Sequence, residues 1–171
     1  TQADLPQPDS RMKTVICLLH HDDFLNAINT IETREQTRRF CRHGLDHALD
    51  VARISWILVL ENHRPFEKET VYLAALLHDI GRSQSDDDHD SASAYLAKKW
   101  LSDCDAQPDV ITDVCAAIAV HRQRSAAIDP ATASLGELLS LADKRSRTCF
   151  RCAAAADCYW PEDLKNATII D

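Results

Sequence analysis

The sequence predicts an all-α fold, a single compact multi-helix bundle. Three observations carry that reading. Apolar residues recur at intervals of three and four along most of the chain, and no segment alternates apolar and polar with period two. Only three glycines interrupt 171 residues, of which 45% are apolar. That length fits one domain with a substantial core. We expect a disordered lead-in over 1–12, a helical domain over 13–148 and a short Cys-rich C-terminal segment over 149–171 packed on the same domain.

Taken in order, Val15 to Leu19 predicts one or two helical turns. Asp22 or Asp23 can cap a helix whose apolar face is Phe24, Leu25, Ile28 and Ile31. Glu32 to Arg42 reads as charged and solvated until Phe40 and Cys41. From Leu45 to about Glu61, His47, Val51, Ile54 and Leu58 fall at steps of four, three and four, so His47 shares a stripe with aliphatic residues. Asn62 to Pro65 breaks that helix, because proline disfavours helical angles at the residue before it. Leu73 to Leu77 is then an apolar run ending in His78-Asp79, with Gly81 expected as the helix terminator.

Ser83 to Asp90 is acidic and reads as structureless, with His89 near its end. Ser91 or a neighbouring aspartate can start a helix containing Ala92, Leu96 and Trp100. Pro108 sits near the start of the next helix, a position it tolerates. That helix runs through Val110, Val114 and Ile118 to His121. After a polar loop from Arg122 to Pro130, Leu135, Leu138, Leu139 and Ala142 mark the last long helix, which carries Asp143 beside its stripe.

Composition excludes several classes. A net charge of −8 gives no basic face for nucleic acid. No apolar stretch approaches the ~20 residues that span a bilayer. Thr1 to Lys13 is polar and prolyl, without the regions of a signal peptide. Seven cysteines is an odd number, so a disulfide framework is not expected and a cytoplasmic setting is.

His47, His78, Asp79, His121 and Asp143 occupy core-facing or helix-end positions on four helices, and His89 lies where a loop enters a helix. Burying each alone incurs a desolvation cost or needs a private partner, whereas one shared cation satisfies them together. His20, His21 and His63 sit in charged surroundings and read as surface residues.

The order His47, His78-Asp79, His121, Asp143 resembles the HD-domain metal-dependent phosphohydrolases. "HALDVARI" looks like the first-histidine helix of that family, "LLHDIGR" like its signature and "LADK" like the helix bearing the final aspartate. "HDSASAYL" and "AVHRQR" look like the extra histidine segments of two-metal members such as the bacterial symmetrical diadenosine-tetraphosphate hydrolases. The resemblance implies His47, His78, Asp79 and Asp143 as primary ligands and His89 and His121 as those of a second site. Asp79 would bridge, since a carboxylate has two oxygens to offer. It implies Asp79 and Arg82 as the catalytic residues, with metal-activated water as the attacking group. The mixed His/Asp set favours iron, manganese or another octahedral ion over zinc, with magnesium or nickel as further options, and one or two ions. Arg82, Arg122 and Lys144 directly follow ligand positions and are candidate phosphate contacts. Arg82 comes first, because related proteins often have Lys or Arg there.

Cys149-x2-Cys152-x5-Cys158 offers three thiols, one short of a tetrahedral site. If the His47 and Asp143 helices are antiparallel, six residues back from one and six forward from the other move the same way, by about 9 Å if helical. Those steps reach Cys41 and Cys149. Cys41, Cys149, Cys152 and Cys158 are therefore a candidate site for structural zinc or an iron–sulfur cluster. "FCRHGLDH" and "DKRSRTCFRCAAAADCYW" look like a subgroup of HD-domain proteins with this cysteine pattern.

The expected function is hydrolysis of a phosphate ester or anhydride of a small metabolite or nucleotide. Trp56, Tyr95 and Trp160 are candidates for stacking on a base. A non-catalytic metal-binding sensor or partner-binding domain is the alternative, and an HD-related di-iron oxygenase a weaker one. The pattern specifies neither substrate nor oligomeric state.

Overall fold

The structure is a computed structural model that describes residues 10–122 and 128–170. Of the expected lead-in, 1–9 lie outside the described residues. Ser10–Met12 form a 3-10 turn, and Met12 packs against the core. Seven α-helices follow among the described residues, with no strand. They are α1 (Lys13–Leu19), α2 (Asp22–Arg34), α3 (Leu45–Glu61), α4 (Lys68–Leu77), α5 (His89–Asp103), α6 (Pro108–Val120) and α7 (Leu135–Arg145). None is long and apolar enough to cross a membrane.

The helix starts follow local chemistry. Pro108 opens α6, where its missing N–H costs nothing. Ser134 caps α7, its hydroxyl accepting from the Glu137 N–H while the Glu137 carboxylate accepts from the Ser134 N–H. His21, not an aspartate, is the N-cap of α2, and Asp22 and Asp23 lie in its first turn, where they favour the positive end of the helix dipole. Likewise α5 begins at His89 behind Asp88, earlier than Ser91.

α4 is the buried centre. Val71, Leu73, Ala74, Ala75 and Leu77 are fully enclosed, and α4 packs on α3 and α6, with α7 against both of those and α5 against α6. Outside this body, 149–170 contains three short 3-10 turns, Cys149–Arg151, Ala155–Asp157 and Glu162–Leu164. Asn166 ties it on: its amide nitrogen lies 2.9, 3.1 and 2.8 Å from the carbonyl oxygens of Lys144, Arg145 and Arg147 at the end of α7.

Three further features differ from the sequence reading. Glu32 to Arg42 is not wholly solvated, because Glu35 is buried. Cys17 and Cys104 form a disulfide joining α1 to the end of α5, although their separation of 87 residues leaves no local signal of pairing. Gly81 does not end a helix in the left-handed conformation. α4 stops at Leu77, and Ile80–Ser83 tighten into a 3-10 turn with Asp79 at its N-cap; no described glycine has positive φ.

Gly81 is required instead by close approach. A Cβ there would stand 2.1 Å from the His89 carbonyl oxygen and 2.6 Å from the Ser93 nitrogen. The absent side chain lets the first turn of α5 lie directly on the turn after Asp79, where the Gly81 N–H donates to Ser93 Oγ at 2.8 Å. Gly81→Ala is therefore expected to cost on the order of 1–3 kcal/mol through overpacking against backbone. Urea denaturation checks this; an unchanged midpoint contradicts it.

Candidate metal centre

The ends of several helices meet at one point. His78 follows the last residue of α4 and His121 the last of α6, while His89 opens α5; His47 projects from α3 and Asp143 from α7. Asp79 lies between them, 7% exposed. Around its Oδ2 stand the Nε2 atoms of His78 at 3.4 Å and His47 at 4.0 Å. Around its Oδ1 stand those of His89 at 3.0 Å and His121 at 3.9 Å. Asp143 Oδ1 is 3.4 Å from His47 Nε2.

Two groups of three potential ligand atoms result, His47/His78/Asp79 and Asp79/His89/His121, each with its atoms within 4.8 Å of one another. Ligands held ~2.1 Å from one ion stand about 3 Å apart at right angles, so these separations suit cation binding after small adjustments. Asp79 belongs to both groups.

The hydrogen bonding of the imidazoles fits the same purpose. His78 Nδ1 lies 2.7 Å from the Ala75 carbonyl oxygen, His89 Nδ1 3.0 Å from that of Asp86 and His121 Nδ1 2.6 Å from that of Ile118. Each carbonyl accepts, so each Nδ1 carries a proton and each Nε2 is turned toward the centre. The Nε2 atoms of His47, His78 and His89 are buried without a hydrogen-bond partner. Orphaned buried nitrogens converging on a carboxylate are what a cation would satisfy.

The charges agree. Burial opposes ionisation of His78, but the Asp79 carboxylate overcomes it and raises the imidazole to about 9. Burial acts to raise Asp79, and His78, His89 and Arg82 hold it well below the usual carboxylate range. For Asp143, burial is likewise outweighed by the neighbouring His47 and the charge of His78, leaving it at about 2. Burial and the charge of His78 both lower His121. A cation bound at the centre would take the place of the proton that Asp79 favours on His78.

The centre opens into a cavity of about 280 Å³. Arg82, Arg122 and Lys144 all line it. Arg82 Nε lies 3.1 Å from Asp79 Oδ1, Arg122 donates to Asp90 at 2.9 Å and Lys144 to Ser140 Oγ at 3.0 Å. Of the stacking candidates, Trp160 lines the cavity, Trp56 packs against the core and Tyr95 is exposed elsewhere.

Four contributors were not read from the sequence. Arg147 lies 3.6 Å from Asp143 and stacks over Trp160 at 4.2 Å. Arg38 also lines the cavity. His43 Nε2 points at Asp79 Oδ2 from 3.8 Å, its ring edge-to-face with His47. Glu35 holds His43 twice, accepting from its backbone N–H at 2.6 Å and lying 2.7 Å from its Nδ1. The one available signal was the i, i+4 spacing of His43 and His47, which the irregular backbone before α3 obscured.

Helices that deliver histidines and aspartates to one buried centre make an α-helical domain whose side chains could hold a metal. Residues 44–148 match the family model described as HD domain, and the chain belongs to that family. It is 32% identical over 156 residues to an uncharacterised protein of Clostridium beijerinckii, covering 90% of this chain and 96% of the other. Its fold is similar to a crystal structure described as "predicted HD superfamily hydrolase" from an uncultured Thermotogales bacterium. The TM-score is 0.59 at 19% identity, over 85% of this chain and 81% of the other.

The Glu35–His43 pair supplies a pH test. Burial acts to raise the Glu35 carboxyl, yet the hydrogen bonds of His43 and the charge of Arg38 bring it below its ordinary 4.5. A depressed folded-state value means that its stabilisation is full above 4.5 and is lost as pH falls through the lowered value. Between about pH 5 and pH 3 the wild-type chain should lose more unfolding free energy than Glu35→Gln. Denaturant titrations across that range check it, and parallel losses contradict it.

Proposed function

We propose that this protein is a metal-dependent phosphohydrolase acting on a small phosphorylated metabolite or a nucleotide. The observation that carries the reading is the pairing of the two Asp79-sharing ligand groups with five cationic side chains around one cavity: Arg38, Arg82, Arg122, Lys144 and Arg147. A cavity of about 280 Å³ is at the small end of ligand pockets, which favours a phosphate group with a compact remainder. Trp160, beside Arg147, offers a flat apolar wall for that remainder.

In this reading His47, His78, Asp79 and Asp143 hold one ion, and Asp79, His89 and His121 hold the other. Divalent ions bound there supply Lewis acidity toward a phosphoryl oxygen and lower the pKa of bound water. Asp79 fixes both ligand groups in one frame. Arg82 neutralises Asp79 Oδ1 in the structure described; once a cation takes over that charge, its guanidinium is free to turn to a phosphate oxygen in the cavity. Arg147, half tethered by Asp143 and stacked on Trp160, offers a planar fork to phosphate in the same cavity. Burial of the centre strengthens each of these contacts by keeping the local dielectric low.

A panel of phosphomonoesters, nucleotides and dinucleoside polyphosphates with added Mn²⁺, Fe²⁺ or Co²⁺ tests the proposal. Turnover is expected with at least one class and is abolished in Asp79→Ala. Arg82→Ala should lower kcat/KM roughly 10–100-fold, the worth of a charged hydrogen bond. Metal uptake with no turnover across the panel would replace this reading with a metal-binding sensor. Metal-dependent consumption of dioxygen would replace it with an oxygenase.

A further inference from the structure

Beside the His/Asp centre the chain builds a second cluster of ligating side chains. Cys41 lies in the irregular strap before α3. Cys149 opens a 3-10 turn, Cys152 follows it and Cys158 follows the next. Cys41, Cys149 and Cys152 line a common cavity of about 290 Å³. Cys158 is close enough to Cys41 for its charge to act on that thiol, as does that of Cys149. All four are half-buried free thiols. Cys41 and Cys149 come together although the backbone around Cys41 is not helical, so the convergence is a property of the strap and not of two continuing helices.

Three further observations bear on what the thiols hold. Over 149–170 only Ala154 and Asn166 are buried, so this segment has almost no apolar core and needs a staple to keep one shape. The cavity is lined by cations, Arg38, Arg39, Arg42 and Lys165, which suits an anionic group. The sulfurs are also set apart. Thiolates on a single zinc at ~2.3 Å stand about 3.8 Å from one another, yet among the described residues no three of these sulfurs form a group within 4.8 Å, as the His/Asp ligands do. A [4Fe–4S] cluster places a separate iron behind each cysteine and so keeps the thiolates apart around a central volume.

We propose that Cys41, Cys149, Cys152 and Cys158 ligate an iron–sulfur cluster that staples the C-terminal segment to the strap at 38–42. Other contacts run along the same seam: Arg39 to Asp157 at 2.6 Å and Phe40 edge-to-face with Tyr159 at 6.3 Å. Phe40, Cys41, Tyr159 and Trp160 also form part of the wall of the metal cavity. The cluster thereby sets the shape of that wall without touching the His/Asp ligands. The inference is independent of the phosphohydrolase reading.

The test is iron, zinc and acid-labile sulfide analysis of the full-length chain purified without oxygen, with its visible absorption. Sulfide with matching iron and a broad charge-transfer band are expected. Both should be lost in Cys41→Ser and Cys152→Ser, and kept in Cys115→Ser, which changes a thiol elsewhere, and in His78→Ala, which disables only the other centre. Wild-type protein without sulfide overturns the proposal, whether its thiols carry zinc, pair as disulfides or stay free. A cluster that persists in folded Cys41→Ser and Cys152→Ser overturns the ligand assignment.

Discussion

A carboxylate 7% exposed to solvent and ringed by imidazoles is the constraint on which the molecule is arranged. Asp79 has given up most of its hydration, and an unpaired buried charge is among the costliest features a fold can contain. In this chain the cost is offset by histidines approaching from both oxygens and by Arg82. Three of those histidines are in turn committed: the Nδ1 atoms of His78, His89 and His121 face backbone carbonyls, so their Nε2 atoms have nowhere to turn except the centre. The cluster is satisfied only in part by its own members. That incompleteness is what a ligand set would show and a self-sufficient salt-bridge network would not.

The rest of the bundle delivers these groups to one point. Ending α4 and α6 at His78 and His121 directs the negative ends of two helix dipoles at the centre, an arrangement that favours a bound cation. Beginning α5 at His89 places a ligand on the opposite kind of helix end, and only a glycine at 81 lets that end approach closely enough. Gly136 does similar work between α7 and α6, where a Cβ would meet Val120 Cγ2 at 2.1 Å. Close backbone approach at two seams is thus part of how the centre is assembled.

The helices were legible because their apolar positions repeat with the helical period, and His47 and His121 were legible as members of those stripes. His78-Asp79 stood out by ending an apolar run. Those residues, with His89 and Asp143, gather around a single carboxylate. What stayed hidden lies where periodicity gives no information. The stretch from Glu35 to Gly44 has no repeating pattern, so a buried glutamate and the histidine it orients looked like solvated charge. Arg147 lies past the end of α7 and reaches the cavity through the path of the C-terminal segment. The Cys17–Cys104 pairing depends on packing of α1 against α5, which no local signal encodes. The meeting of Cys41 with Cys149 was anticipated through an assumed continuation of two helices that the backbone does not make.

The central claim is that Asp79 is shared between two cation sites. Titration of the metal-free chain with Mn²⁺, followed by electron paramagnetic resonance, addresses it most directly. Two ions sharing one carboxylate are magnetically coupled, so the wild-type signal should become that of a coupled pair as the second ion binds, and Asp79→Asn should abolish the coupling. Uptake of a single ion, or of two that remain magnetically isolated, would contradict the account.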